Sequence, residues 1–314
     1  MLSGRRADLA LLAVALVWGA TFVMVRDAVA VVPPLTFLAL RFALAAGIMA
    51  LLYGRRVWRA RWAGWRDGAL VGLFLLAGYA FQTAGLQYTT AGRAGFITGL
   101  AVILVPFIAW LWLHRPPARS AVAGALLAVI GLGLLTLPFE AGAARAVVPL
   151  AVDGTRIPPA ILLRGDLLVL ACALAFALHI TAIARVAHTA ATRYDPAALA
   201  TVQIATTAIA CAVGAALFEE GLTYLSTGFP ESVWFAAAFT GLLATAAAFG
   251  LQSAAQASIS PERTALIFAT EPVFAALFAW WLAGERLGPW GWAGGALIVA
   301  GMVVGAWWGR DGAG

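Results

Sequence analysis

The chain has 314 residues, 63% of them hydrophobic and 11% charged, with a mean hydropathy of +0.93. Too few polar groups remain to cover a globule of this size, so the apolar surplus must face lipid, and a soluble fold is excluded. All 20 basic residues are arginine, so no lysine is present to carry a retinal or pyridoxal Schiff base. Cys172 and Cys211 both lie in apolar runs and suggest neither a disulfide framework nor a thiolate metal site. Three histidines (His114, His179, His188) are too few for the ligand pairs of a membrane dihaem cytochrome. The formal charge of +6 reflects arginines between hydrophobic runs rather than a nucleic-acid face.

A helix crossing the hydrocarbon core needs about 20 mostly apolar residues. Runs of that kind lie at 8–27, 35–54, 68–88, 94–113, 119–138, 166–186, 196–218, 233–255, 264–283 and 289–309. The pattern predicts an all-α polytopic membrane protein with ten transmembrane helices. Arg5 and Arg6 ahead of the first run imitate a secretory signal, but the run is long, contains Trp18 and precedes nine more spans. It reads as an uncleaved first helix. With the N-terminus in the cytoplasm, 13 arginines fall on inside segments, six on outside segments and one, Arg41, inside a span. This bias favours a cytoplasmic position for both termini. Tryptophans near the span ends, among them Trp58, Trp110, Trp234 and Trp290, form the expected aromatic belt.

The two halves repeat each other. At an offset of 170, residues 79–131 lie over 249–301 without a gap, with Gln82/Gln252, Arg93/Arg263, Trp110/Trp280, Gly124/Gly294 and Gly131/Gly301 identical. At an offset of 158, Asp8-Leu9 lies over Asp166-Leu167. The expected organisation is a first repeat over 1–138, an extracytoplasmic linker over 139–165 and a second repeat over 166–314. Five spans per copy is odd, so the second copy must sit upside down. Inverted repeats with a site at their interface are a recurring build of secondary transporters, and duplicated channels or intramembrane enzymes are the other reading.

Ionisable groups inside spans each cost about 2.5–3.5 kcal/mol on insertion scales and so call for a reason. The candidates are Arg41, His179 and Glu271. At about 1.5 Å per residue, Arg41 lies about 9 Å inside the outer edge and Glu271 about 10 Å inside the inner edge, which disfavours pairing them. His179 reaches about the depth of Glu271 and is its expected partner, with a hydrogen-bonded buried imidazole favoured over a direct proton relay as its role. Glu271 precedes Pro272, which is expected to kink the ninth span in mid-helix, leaving a protonatable carboxylate at the kink as a coupling or ammonium-binding group. A carboxyl hydrogen-bonded to a neighbouring helix is the plainer reading. Arg41 either snorkels to the outer interface or binds an anion.

Trp18, Tyr79, Phe176, Phe249 and Phe274 fall at midplane depth. Tyr79 and Phe249 are repeat mates, as are Trp18 and Phe176, so the set is expected to line a central cavity suited to an apolar or aromatic solute. Gly95/Gly99, Gly291/Gly295 and Gly301/Gly305 have the spacing of close helix packing and offer a homodimer face on the tenth span. Enzyme motifs are poor. Tyr194-Asp195 falls in a loop before Pro196, and no nucleophile turn or phosphate loop occurs.

The whole chain resembles the ten-helix members of the drug/metabolite transporter superfamily that carry two EamA-type repeats. The carrying residues are Trp18-Gly19, Thr21-Phe22, Pro34, Arg41-Phe42, Gln82 and the run AGRAGFITGL at 91–100. Gly165-Asp166-Leu167, Pro196, Gln203, Glu271-Pro272, Gly284-Glu285 and Gly294 carry it in the second half. The resemblance implies a pseudo-twofold bundle whose central cavity is formed mainly by spans 1–4 and 6–9, with 5 and 10 as supports. It also implies alternating-access movement of small metabolites across a bacterial inner membrane, commonly as export. The chain departs from the pattern at His114-Arg115, which stands where the second repeat has Gly284-Glu285, and at Pro106, which does not match Pro272.

The resulting expectation is an exporter of an amino acid or another aromatic or amphipathic metabolite. Arg41, Gln82, His179 and Glu271 supply polar contacts, and Trp18, Tyr79, Phe176, Phe249 and Phe274 supply rings. No cofactor, metal or nucleic acid is expected; the partners are the solute, the bilayer and a proton gradient. An uncoupled facilitator or importer is the alternative within transport, and an intramembrane enzyme lies further off.

Overall fold

The computed structural model describes residues 5–60, 62–113, 116–136, 157–189, 195–221, 223–249, 251–252 and 267–307. All regular structure among them is helical. The helices are α1 (Arg5–Val29), α2 (Pro34–Arg59), α3 (Trp62–Gly85), α4 (Ala91–Leu113), α5 (Arg119–Thr136), α6 (Pro159–Thr189) and α7 (Pro196–Phe218). A five-residue turn, Thr223–Thr227, leads to α8 (Glu231–Ala238), which continues as a π-helix over Phe239–Ala247. Then come α9 (Glu271–Ala283) and α10 (Pro289–Trp307). Six of these, α1–α4, α6 and α7, are long and apolar enough to cross a membrane. The other four are apolar but shorter over the described residues. Large apolar side chains face outward along the bundle, Leu51 at 84% and Phe218 at 82% exposure among them. That surface suits lipid contact, not water.

Two boundaries differ from the sequence expectation. α6 starts at Pro159 rather than near 166, so the last seven residues assigned to the linker are helical. A proline is well suited to a helix's first turn, where its missing N–H has no partner to lose. In the ninth span the chain does not run helically through Glu271-Pro272. A turn at 269–270 interrupts it, and α9 begins at Glu271 with Pro272 in its first turn. The same absent donor that was expected to kink a helix starts one instead.

Helix ends converge at the end of the bundle where α1, α3, α5, α7 and α9 finish. Glu219, at the close of α7, accepts from the backbone N–H groups of Leu35 and Thr36 at 2.9 and 2.8 Å and from the Thr36 hydroxyl at 2.8 Å, capping α2. Glu285 does the same for α4, accepting from Ala91 N–H at 2.8 Å and Gly92 N–H at 2.9 Å, and pairs with Arg26 of α1 at 2.7 Å. Gly284 makes this possible: at φ +63° it ends α9 in the left-handed conformation that glycine adopts freely and turns Glu285 back. Asp166 of α6 takes a hydrogen bond from Thr89 at 2.6 Å and forms a buried ion pair with Arg93 of α4, which also donates to the Leu135 carbonyl.

The halves are related by a pseudo-twofold axis, visible where α5 meets α10. A Cβ on Gly124 would stand 2.4 Å from the Gly301 carbonyl oxygen, and one on Gly301 equally close to that of Gly124. Gly131 and Gly294 face each other in the same way at 2.5 Å. Gly294 and Gly301 are the mates of Gly124 and Gly131 at the 170 offset, so the axis maps one contact onto the other. As one partner's number rises the other's falls, so the two helices are antiparallel. Within the chain, Gly301 and Gly305 lie against α5, and Gly295 lies against the Phe96 ring.

Candidate functional site

Arg41, on α2, is not directed to the membrane surface. It is 2% exposed and sits between α2, α3 and the π-helical continuation of α8. Its Nε and Nη2 both donate to the Thr245 hydroxyl at 3.2 Å, and Nη2 reaches the Tyr79 hydroxyl at 3.4 Å. Its guanidinium carbon lies 4.6 Å from the centroid of the Tyr79 ring and 5.5 Å from that of Phe42, within the range of cation–π attraction. Among the described residues no carboxylate pairs with it.

The π-helix explains how this contact is made. Thr245 donates to the carbonyl of Thr240, five residues back, at 2.9 Å, which leaves its oxygen lone pairs for Arg41. The wider turn also leaves the Ala244 carbonyl able to accept from the Trp18 indole N–H at 2.8 Å. Gly241 lets α8 approach α2, since a Cβ there would lie 2.7 Å from the Arg41 carbonyl oxygen. Short π segments within helices occur frequently at functional sites.

The rings form two groups that obey the same twofold. Tyr79 meets Phe176 edge-on at 5.2 Å between centroids, and their repeat mates Phe249 and Trp18 meet at 5.9 Å. Phe42 joins the first group at 5.0 Å from Tyr79, and Phe268 the second at 5.1 Å from Trp18. Phe274 lies apart, its Cβ set against Gly19 where α9 crosses α1. Gln82 donates to the Thr98 hydroxyl at 3.2 Å, which stands 4.0 Å from the Cys172 sulfur.

The expected His179–Glu271 pair does not form. His179 Nε2 is 2.7 Å from the Gln203 side-chain oxygen, joining α6 to α7. Glu271 is partly buried at the start of α9, near enough to Tyr79 and Cys172 to act on both electrostatically. It has no ion-pair partner among the described residues, and it does not pair with Arg41. The interior thus holds two ionisable groups of opposite sign, neither with a counter-ion among the described residues.

Sequence reasoning missed Phe42, Thr98, Gln203, Thr245 and Phe268 as contacts of the site. Phe42, Thr98 and Gln203 stand inside the motifs that carry the family resemblance, so a signal existed. Thr245 lies in a charge-free stretch with nothing to mark it. His114, Arg115, Tyr194 and Arg263 lie outside the described residues.

The sequence profile of the EamA-like transporter family matches residues 5–137 and again 163–306. An uncharacterized transporter from Archaeoglobus fulgidus is 32% identical over 300 residues, covering 95% of this chain and 85% of that protein. The uncharacterized transporter YvbV of Bacillus subtilis is 27% identical over 135 residues, 42% of this chain and 44% of YvbV. A protein of known crystal structure superposes with a TM-score of 0.64 at 22% identity, over 99% of this chain and 100% of its own, and shows the same fold. The two profile matches together span nearly all of the described helices, and the chain belongs to the EamA-like transporter family.

Proposed function

We propose that this transporter carries a small metabolite, an amino acid or another aromatic or amphipathic compound, through the interior between its two repeats by alternating access. It works as an exporter in the inner membrane, with both termini in the cytoplasm, and leaves its solute chemically unchanged. The observation that carries the reading is Arg41 and Glu271, which have no counter-ion among the described residues and stand beside rings contributed symmetrically by both repeats. Insertion of such groups is costly, and a packed scaffold has no use for them unpaired. The ion pairs that gather α1, α4, α6 and α9 at one end are consistent with a state closed on that side. Glu271, at the break before α9, is the group that takes up and releases the coupling proton.

Flux in proteoliposomes under an imposed pH gradient tests this, with amino acids, nucleosides and small organic cations as the panel and Glu271→Gln in parallel. Gradient-driven flux of one class, lost in the variant, is the expected result. Flux indifferent to both gradient and variant overturns the coupling role and leaves a facilitator.

A further inference from the structure

We propose that the interior site takes an anionic group of the substrate, a carboxylate or a phosphate, between Arg41 and Tyr79. The inference rests on the reading of the bundle interior as the solute path. It starts from the hydrogen-bond inventory around Arg41. Nε and Nη2 are engaged by Thr245, whose own proton is committed to the Thr240 carbonyl. Nη1 has no acceptor among the described residues. The Tyr79 hydroxyl accepts a long contact from Nη2 and donates to nothing among them. Two unspent donors therefore stand side by side on a cation that is 2% exposed and a ring that is 8% exposed.

The partner that satisfies both donors is a group with acceptors only, and the unbalanced positive charge selects one that is ionised. A neutral amide or hydroxyl would leave the charge uncompensated, and an ammonium, although Glu271 acts on Tyr79 from further off, would face two donors and the guanidinium in direct contact. The rings set the rest of the solute. Phe176 and Phe42 flank Tyr79, so an aromatic or branched apolar body attached directly to the acid has rings to lie against. Thr245 and the two ring faces hold the guanidinium in place, so little ordering is left for binding to accomplish.

The test is equilibrium binding to the purified full chain in detergent, read by isothermal titration and by the shift in thermal unfolding midpoint. The probes are phenylacetate, phenyl phosphate and 2-phenylethylamine. The expected result is binding of one or both acids and none of the amine; which acid binds separates a carboxylate substrate from a phosphate one. Arg41→Gln should abolish acid binding. Tyr79→Phe, which keeps the ring and removes only the donor, should weaken it by about tenfold, the usual effect of losing one hydrogen bond to a charged group. Arg41→Lys, which keeps the charge but not the fork, should fall between. Binding of the amine alone, binding of neither acid, or acid binding that survives both Arg41→Gln and Tyr79→Phe overturns the proposal. Acid binding without any flux in proteoliposomes would instead refute the transport path while leaving the anion site standing.

Discussion

A buried carboxylate stays folded into an apolar bundle only when its oxygens are met, and Asp166 and Glu285 show two ways of meeting them. Asp166 takes Thr89 and the guanidinium of Arg93, at 3% and 8% exposure for acid and base. Removing one partner of a buried pair strands the other charge, which costs about 3–5 kcal/mol. Asp166→Asn should therefore lower the unfolding midpoint sharply, whereas Arg93→Leu combined with Asp166→Leu should lower it less, a difference that thermal unfolding in detergent measures. Glu285 acts on a helix end: Glu285→Ala releases Arg26 and uncaps α4 together. The expected loss is about 2–4 kcal/mol, from the cap and the half-buried ion pair combined, and Glu285→Gln, which can still accept from the two amides, should recover part of it. These residues were legible in the sequence as boundary arginines and as family motifs. Their pairing was not, because Arg93 and Asp166 are 73 positions apart and Arg26 and Glu285 are 259 apart.

Among the elements, α5 and α10 were readable nearly in full: apolar length, glycine spacing and an offset between copies. What they pack against was not legible, because four-residue glycine spacing marks a close approach without naming the approaching helix. In the structure that helix is the pseudo-symmetric partner, and Gly301→Val should separate the pair. A Cβ there already meets the Gly124 backbone oxygen at 2.4 Å, and a backbone atom cannot swing aside as a side chain can. The expected destabilisation is at the upper end of the about 1–3 kcal/mol range for overpacking, read as a loss of folded protein on size exclusion after mild heating. The π-helical stretch of α8 could not be foreseen, since Phe239–Ala247 has the composition of any apolar span. Its effect is specific nonetheless. Thr245→Val keeps the volume but removes the acceptor for both Arg41 contacts, and it should cut solute binding while lowering the unfolding free energy by about 1–3 kcal/mol.

On the scale of the molecule, the twofold organises both scaffold and site. The glycine contacts of α5 with α10 obey the 170 offset, and the ring pairs Tyr79–Phe176 and Phe249–Trp18 obey the 170 and 158 offsets together. Two ionisable groups break that symmetry. Arg41 and Glu271 have no like-charged mates, so the interior is a symmetric frame carrying an asymmetric charge pattern. The proposed topology, an even number of spans with both termini in the cytoplasm as the arginine bias favours, is open to direct test. Single cysteines placed near either end of a Cys172→Ala/Cys211→Ala background should react with a membrane-impermeant maleimide only after the cells are opened. Labelling of one end alone in intact cells would refute the even count.

Composition and period sufficed to establish a membrane-embedded helical bundle built from two copies, because hydropathy and self-similarity are local properties that survive without a fold. The same residues placed Arg41, Tyr79 and Glu271 at interior depth, since depth follows from counting along a helix. Partnership was decided by the tertiary structure alone. It gave His179 to Gln203 rather than Glu271, left Arg41 without an acid among the described residues and turned Pro272 from a kink into a helix start. Each of these depends on which neighbouring helix presents an acceptor within about 3 Å, a distance set by how whole helices pack and not by their spacing along the chain.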